Sequence, residues 1–122
     1  HPLVEADRFP VERLRQEPFI EFLPGQETDN SRMLQQLQIR PKIRFATSDS
    51  WAAIAMVRAG LGITLLNDIL TADLADGVAV LPLDPPQSVH LGIALPEEEH
   101  VSPAAKRFIT YALNRLPELD VL

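Results

Sequence analysis

Apolar and polar positions form the clearest pattern in the middle of the chain. Lys42–Ala46 is a short run with the composition of a β-strand, and Thr47–Ser50 then interrupts it with small polar residues. From Trp51 to Ala59 only Arg58 is charged, so this stretch predicts a helix that is covered on more than one side. We expect a hydroxyl or carboxylate of the polar turn Thr47–Ser50 to cap this helix.

Two glycines end the predicted helix. Gly60 and Gly62 follow it, and glycine enters left-handed backbone at a helix C-terminus without a Cβ penalty. Ile63–Leu66 is an apolar run typical of a central parallel strand. Strand, helix and strand together predict a right-handed βαβ unit, and ligands of open α/β sheets bind at the carboxyl ends of such strands. The polar turn Thr47–Ser50 is therefore the predicted binding site.

The flanking segments continue the alternation of helices and strands. We predict a short helix from Pro10, a strand over Phe19–Leu23, an amphipathic helix after Thr28–Asn30, a short helix over Asp68–Leu74, strands over Val78–Leu83 and Val89–Leu95, and a last helix from Ser102-Pro103. The last helix carries one apolar stripe that must pack on something: Ala105, Phe108, Ile109, Ala112, Leu113 and Leu116. The predicted fold class is α/β, with an open twisted sheet built from βαβ units.

Composition and charge narrow the function. The chain has 122 residues, enough for one domain of ordinary size, and because it does not begin with methionine we interpret it as part of a longer protein. With 17 acidic against 11 basic residues and no basic block, direct nucleic-acid binding by this segment is not expected. The absence of cysteine excludes disulfides and fits a reducing, cytoplasmic location. No apolar run approaches the roughly 18 residues of a membrane span, so we expect no membrane partner.

Catalytic, metal and nucleotide sites find no support in the sequence. His1, His90 and His100 lie far apart, without the close pairing of a metal-ligand motif. Gly60 and Gly62 follow a helix and precede a strand, which is the reverse of the order in a phosphate-binding loop. The chain has no Gly-x-Ser-x-Gly elbow and no histidine beside a nucleophile. We therefore expect neither a cofactor nor an enzyme.

Several separate segments carry a resemblance to a known family. They are His1-Pro2-Leu3, Glu17-Pro18-Phe19-Ile20, Ala53–Ile63, Gly77-Val78 with Leu81-Pro82-Leu83, and Ser102–Phe108. In this order and spacing they resemble the effector-binding domain of LysR-type transcriptional regulators over nearly the whole chain. The resemblance implies one lobe of a periplasmic-binding-protein-like (type II) two-lobed domain that binds a small-molecule effector between its lobes. A solute-binding protein of a transport system has the same architecture and is the alternative.

The resemblance also implies how the chain is divided. Residues 1–8 and 89–96 correspond to the two crossover strands, residues 9–88 to the second lobe, and residues 97–122 to a C-terminal helix that belongs to the first lobe. The rest of the first lobe and a winged helix-turn-helix lie outside the chain. DNA is then a partner only through that missing N-terminal domain, and the family implies a homo-oligomer.

Carried over to this sequence, the effector contacts of the second lobe fall at the turn before the central helix. Ser48 is the first candidate, followed by Thr47, Asp49, Ser50 and Trp51. Simple helix capping is the alternative for any one of the polar residues. Trp51 is either a flat wall of the cleft or a residue of the core or of a subunit interface. Asp49 disfavours an anionic effector, because a second carboxylate a few Å away costs roughly 1 kcal/mol, and the hypothesis is an effector that is neutral or carries an amine.

Overall fold

The described residues, which are 1–74, 76–90, 92–97 and 100–116 of the computed structural model, form two small parallel sheets. In the first, strand β1 (Phe9–Pro10) pairs with β4 (Leu83–Asp84). In the second, β2 (Pro18–Phe22) pairs with β3 (Lys42–Thr47), and a single parallel bridge joins β2 to Ile63. Because parallel strands run in the same direction, the carboxyl ends of β2 and β3 lie at one edge of their sheet.

Helices connect these strands, and the chain divides into two units, His1–Ser88 and Val89–Leu122. The helices are a 3₁₀ helix at Val11–Arg15, α1 at Asp29–Gln36, α2 at Ser50–Arg58 and α3 at Asp68–Leu74 in the first unit, and α4 at Pro103–Arg115 in the second. The predicted helix starts are confirmed at α1, α3 and α4. The hydroxyl of Ser102 accepts a hydrogen bond from the amide of Ala105 at 3.2 Å, with Pro103 at the first helical position.

Strand β2 is buried because it carries apolar residues on both of its faces. Phe19 and Ile20 are adjacent, so their side chains point to opposite sides of the sheet, and they are 4% and 0% exposed. Phe19 belongs to the main apolar cluster, which comprises Phe9, Val11, Leu14, Phe19 and Ile39. Helix α2, whose buried residues are Ala53 and Ile54, packs against β2 and β3.

The segment after α2 approaches β2 closely enough to require glycine. The amide of Ile63 donates to the carbonyl oxygen of Pro18 at 2.9 Å, and the amide of Ile20 donates to the carbonyl oxygen of Ile63 at 2.8 Å. A Cβ atom on Gly62 would collide with the carbonyl oxygen of Pro18. Gly60, at φ +76°, terminates α2 in the left-handed conformation that the sequence predicts.

Several strands are shorter than the apolar pattern predicts. In the predicted strand Ile63–Leu66, only Ile63 forms a β-bridge, and its partner is Phe19 of β2. In the predicted strand Val78–Leu83, only Leu83 belongs to a strand, β4. Val89–Leu95 has no regular secondary structure at its described positions, and residue 91 lies outside the described residues. A β-type composition becomes a strand only where a neighbouring backbone supplies hydrogen-bond partners, which a sequence window does not reveal.

The first residues of the chain form turns instead of an extended strand. The amide of Val4 donates to the carbonyl oxygen of His1 at 3.1 Å, and the amide of Ala6 donates to that of Leu3 at 3.0 Å. Regular pairing begins only at β1. The assignment of residues 1–8 and 89–96 to crossover strands, and of 97–122 to the first lobe, stays a prediction; residues 98, 99 and 117–122 lie outside the described part of the chain.

Candidate functional site

The carboxyl ends of β2 and β3 are tied together at one edge of the sheet. Phe22 pairs with Thr47 as the last residues of their strands, and the amide of Leu23 donates to the carbonyl oxygen of Thr47 at 2.9 Å. Leu23 itself has a φ of +56°, a left-handed conformation that is uncommon for a residue with a branched side chain. The turn after β2 and the predicted binding turn after β3 are therefore direct neighbours.

Asp49 caps the helix that follows the predicted binding turn. Its Oδ1 atom accepts hydrogen bonds from the amide of Trp51 at 2.8 Å and from the amide of Ala52 at 3.1 Å. The amide of Asp49 donates in turn to the hydroxyl oxygen of Thr47 at 3.1 Å, which fixes the turn against the end of β3. Of the capping residues that the sequence offers, Asp49 is the one that fills this role.

The other members of the predicted site remain available for contact. Ser48 is exposed and Ser50 is half-buried, and neither hydroxyl makes a hydrogen bond within the described part of the chain. Trp51 is 68% exposed, so it is not a core residue of the unit it belongs to. Two hydroxyls, the second oxygen of Asp49 and an aromatic ring thus lie together within four consecutive residues.

A cavity that the sequence did not predict lies in the same unit and is lined in part by Phe22 and Leu23 at the carboxyl end of β2. Its volume is about 620 Å³, and it is lined by residues of α1, β2, β3 and the turns around them, but by none of Thr47–Trp51. Glu21 and Arg40 line it, and neither forms an ion pair among the residues described. Its walls come from segments far apart in sequence, so a local pattern could not predict it. The amphipathic pattern of α1 indicated only that one wall-forming helix has a polar and an apolar side.

Metal and membrane sites were searched for in the described ranges. There, no group of three or more His, Cys, Asp or Glu side chains is placed to hold a metal ion. Within those same ranges, no helix is long and apolar enough to cross a membrane.

Ligands of open α/β sheets bind outside the carboxyl ends of parallel strands, which is where the capped turn after β3 lies. The chain matches the family model of the LysR substrate binding domain over residues 1–117. It therefore belongs to the LysR substrate-binding domain family, and the resemblance seen in its sequence is confirmed. The family implies the type II periplasmic-binding-protein fold, with which the mixed α/β structure and its small sheets are consistent.

Two relatives from different bacteria match nearly the whole chain. The uncharacterized HTH-type transcriptional regulator YnfL of Escherichia coli (strain K12) is 26% identical over 121 residues, which cover 95% of this chain and 41% of that protein. The uncharacterized HTH-type transcriptional regulator YybE of Bacillus subtilis (strain 168) is 26% identical over 120 residues, which cover 97% of this chain and 41% of that protein. The chain thus spans less than half the length of each of these relatives.

Proposed function

We propose that this chain is the effector-sensing part of a bacterial LysR-type transcriptional regulator that works in the cytoplasm. The observation that carries the proposal is the family match over residues 1–117, together with two matched relatives that are both named transcriptional regulators. A small metabolite binds reversibly and is not chemically changed. These relatives favour a regulator over the solute-binding protein of a transport system.

The proposed effector contacts are Ser48, Thr47, Asp49, Ser50 and Trp51. Ser48 is the first of them, because its hydroxyl is exposed and has no hydrogen-bond partner in the described residues. The position of this turn at the joined carboxyl ends of β2 and β3 supports the same choice, since ligands of open α/β sheets bind there. The opposite wall of the cleft comes from a first lobe, of which the chain supplies only the helix after residue 97.

The proposed mechanism is a shift between two arrangements of the lobes. Residues 1–8 and 89–96 connect the lobes, and closure around the effector changes how a homo-oligomer is arranged on DNA, which is bound by a winged helix-turn-helix at the N-terminus of the parent protein. A ligand shifts such an equilibrium only by its differential affinity for the two states. Coupling energies of about 1–3 kcal/mol are typical, which correspond to roughly 5- to 150-fold in affinity.

The test is a thermal-shift screen of metabolites on the parent protein, with Ser48→Ala as the diagnostic variant. Ser88→Ala is the matched control, because Ser88 is also exposed and is the last residue of the unit in sequence, well separated along the chain from the turn Thr47–Ser50. We expect a metabolite that raises Tm and alters DNA affinity in the parent protein and in the control, but not in Ser48→Ala. A metabolite that stabilises all three proteins equally would place the effector elsewhere, and a secretory leader upstream of His1 would favour the transport protein.

A further inference from the structure

The first eight residues of the chain are tied to the rest of the first unit through the ring of His1. Its Nε2 atom lies 3.3 Å from Oε2 of Glu17, whose side chain is only 15% exposed. The amide of Leu3 donates to Nδ1 of the same ring at 3.1 Å. Because an amide can only donate, Nδ1 is the acceptor, and the proton of the neutral ring is on Nε2. One tautomer of His1 therefore makes both contacts, with Nε2 donating to Glu17.

The carboxylate that accepts from His1 is fixed by a second partner. Nη2 of Arg13 donates to Oε1 of Glu17 at 2.6 Å. Each oxygen of the carboxylate has its own donor, so the two contacts do not compete. Hydrogen bonds that involve an ionised group are about twice as strong as those between neutral groups. Since Glu17 directly precedes β2, the contact ties the start of the chain to the beginning of that buried strand.

Two further points of attachment hold the same segment. In its middle, Leu3 packs against the main apolar cluster. At its end, Nη1 of Arg8 donates to the carbonyl oxygen of Leu83 at 3.4 Å, and the amide of the next residue, Phe9, donates to that of Pro82 at 2.8 Å. The segment is therefore attached at its start, in its middle and at its end.

From this attachment we infer that the contact between His1 and Glu17 holds residues 1–8 on the second lobe, so that the segment moves with that lobe as one body. A connection between lobes bends where a few residues are free to change their backbone angles. Residues 1–8 do not meet this condition, so the bend of the connection falls outside them. The inference rests on the proposed function, because it concerns the connection in that mechanism. His1 is a positioning residue that acts through Glu17.

Hydrogen exchange of the parent protein, followed by mass spectrometry, tests the contact without an effector. The amides to follow are those of Leu3, Val4 and Ala6, each of which donates a hydrogen bond within the segment. His1→Asn retains an atom that accepts from the amide two residues on, but it lacks the second nitrogen that reaches Glu17. We expect this variant to raise exchange in the segment about fivefold, as the loss of one hydrogen bond does, and to leave β2 and β3 unchanged.

Further variants show whether the effect passes through Glu17. His1→Gln supplies a side-chain N–H of similar reach and should recover most of the protection. Glu17→Gln should raise exchange in the segment as His1→Asn does, and the double variant should raise it no further, because both changes break one contact. His90→Asn is the matched control, since His90 is also exposed and makes no hydrogen bond or ion pair in the described part of the chain. It should leave exchange in the segment unchanged.

Two results would overturn the inference. The first is exchange of residues 1–8 in the unaltered parent protein as fast as in an unstructured peptide, because the segment would then be free to bend. The second is a double variant in which the effects of His1→Asn and Glu17→Gln multiply, because the two residues would then act independently. The proposed function is decided separately, by the metabolite screen with Ser48→Ala, so either proposal can fail while the other stands.

Discussion

Gly62 lies against the carbonyl group of Pro18 so closely that there is no space for a side chain between them. The contact arises because the amide of Ile63 must reach the same carbonyl oxygen, at 2.9 Å, to join the sheet. We expect Gly62→Ala to lower the free energy of unfolding by about 1–3 kcal/mol, since the added methyl group must displace backbone.

Gly92→Ala is the matched control, because nothing lies within 4 Å of a Cβ at that position. Urea denaturation followed by circular dichroism measures both variants. A Gly62→Ala protein as stable as Gly92→Ala would show that β2 and residue 63 are not paired in solution.

Asp49 combines a structural role with the proposed ligand contact, and two substitutions separate them. Asp49→Ala removes the acceptor of the Trp51 and Ala52 amides and should lower the free energy of unfolding by about 1 kcal/mol. Asp49→Asn should retain most of this stability, because asparagine is as good a capping residue as aspartate. Thermal unfolding measures the stability of the two variants. If both lose the same free energy of unfolding, the charge of Asp49, and not its capping hydrogen bonds, stabilises the start of α2.

Ile20 is fully buried in β2, whereas Ile43 of β3 is 48% exposed. We expect Ile20→Ala to cost about 2–5 kcal/mol, because it removes apolar contacts and leaves a cavity. Ile43→Ala should cost much less, since its side chain already contacts water. Chemical denaturation of both variants tests whether β2 is the more buried of the two strands. Similar losses would contradict the burial described above.

Glu17 binds two basic side chains before β2. Its carboxylate accepts a hydrogen bond from Arg13 at 2.6 Å and lies 3.3 Å from Nε2 of His1, and its side chain is only 15% exposed. Glu17→Gln should therefore lower the free energy of unfolding by about 1 kcal/mol.

Glu12 provides the comparison, because its pair with Arg15 is exposed on the surface. Glu12→Gln should change stability by less than about 0.5 kcal/mol. Differential scanning calorimetry at low and moderate salt distinguishes the two cases. If both substitutions lower the free energy of unfolding equally, the half-buried position of Glu17 does not strengthen its contacts with Arg13 and His1.

Local signals in the sequence predicted the helices well. The polar turn followed by an almost uncharged segment predicted α2, and its glycine stop is found at Gly60. The Ser102-Pro103 pair likewise marked the start of α4. Such signals succeed because a helix makes its hydrogen bonds, and much of its capping, among residues that are close in sequence.

Features that depend on distant segments could not be predicted in the same way. The apolar run at Val78–Leu83 gave no sign that only its last residue pairs in a strand. Leu83 pairs with Phe9, whose amide donates to the carbonyl oxygen of Pro82, and Phe9 is far away in the sequence. The register shift in the pairing of β2 with β3, which leaves Arg44 of β3 without a partner residue in β2, also has no local signal. For the candidate site, the sequence supplied the residues of the turn, but not which one caps α2 or that the turn after β2 adjoins it.

Strand β2 is synthesised before both of the segments that pair with it, β3 and Ile63. When β2 leaves the ribosome, β3 has not been made, and Thr64, whose hydroxyl donates to the carbonyl oxygen of Ile20, follows it 44 residues later. The nascent chain therefore exposes Phe19 and Ile20 until the segment around residue 63 emerges, which is the interval in which unpaired strands aggregate. The folded domain buries both residues, so their exposure ends only when the later segments have been made and have paired with β2.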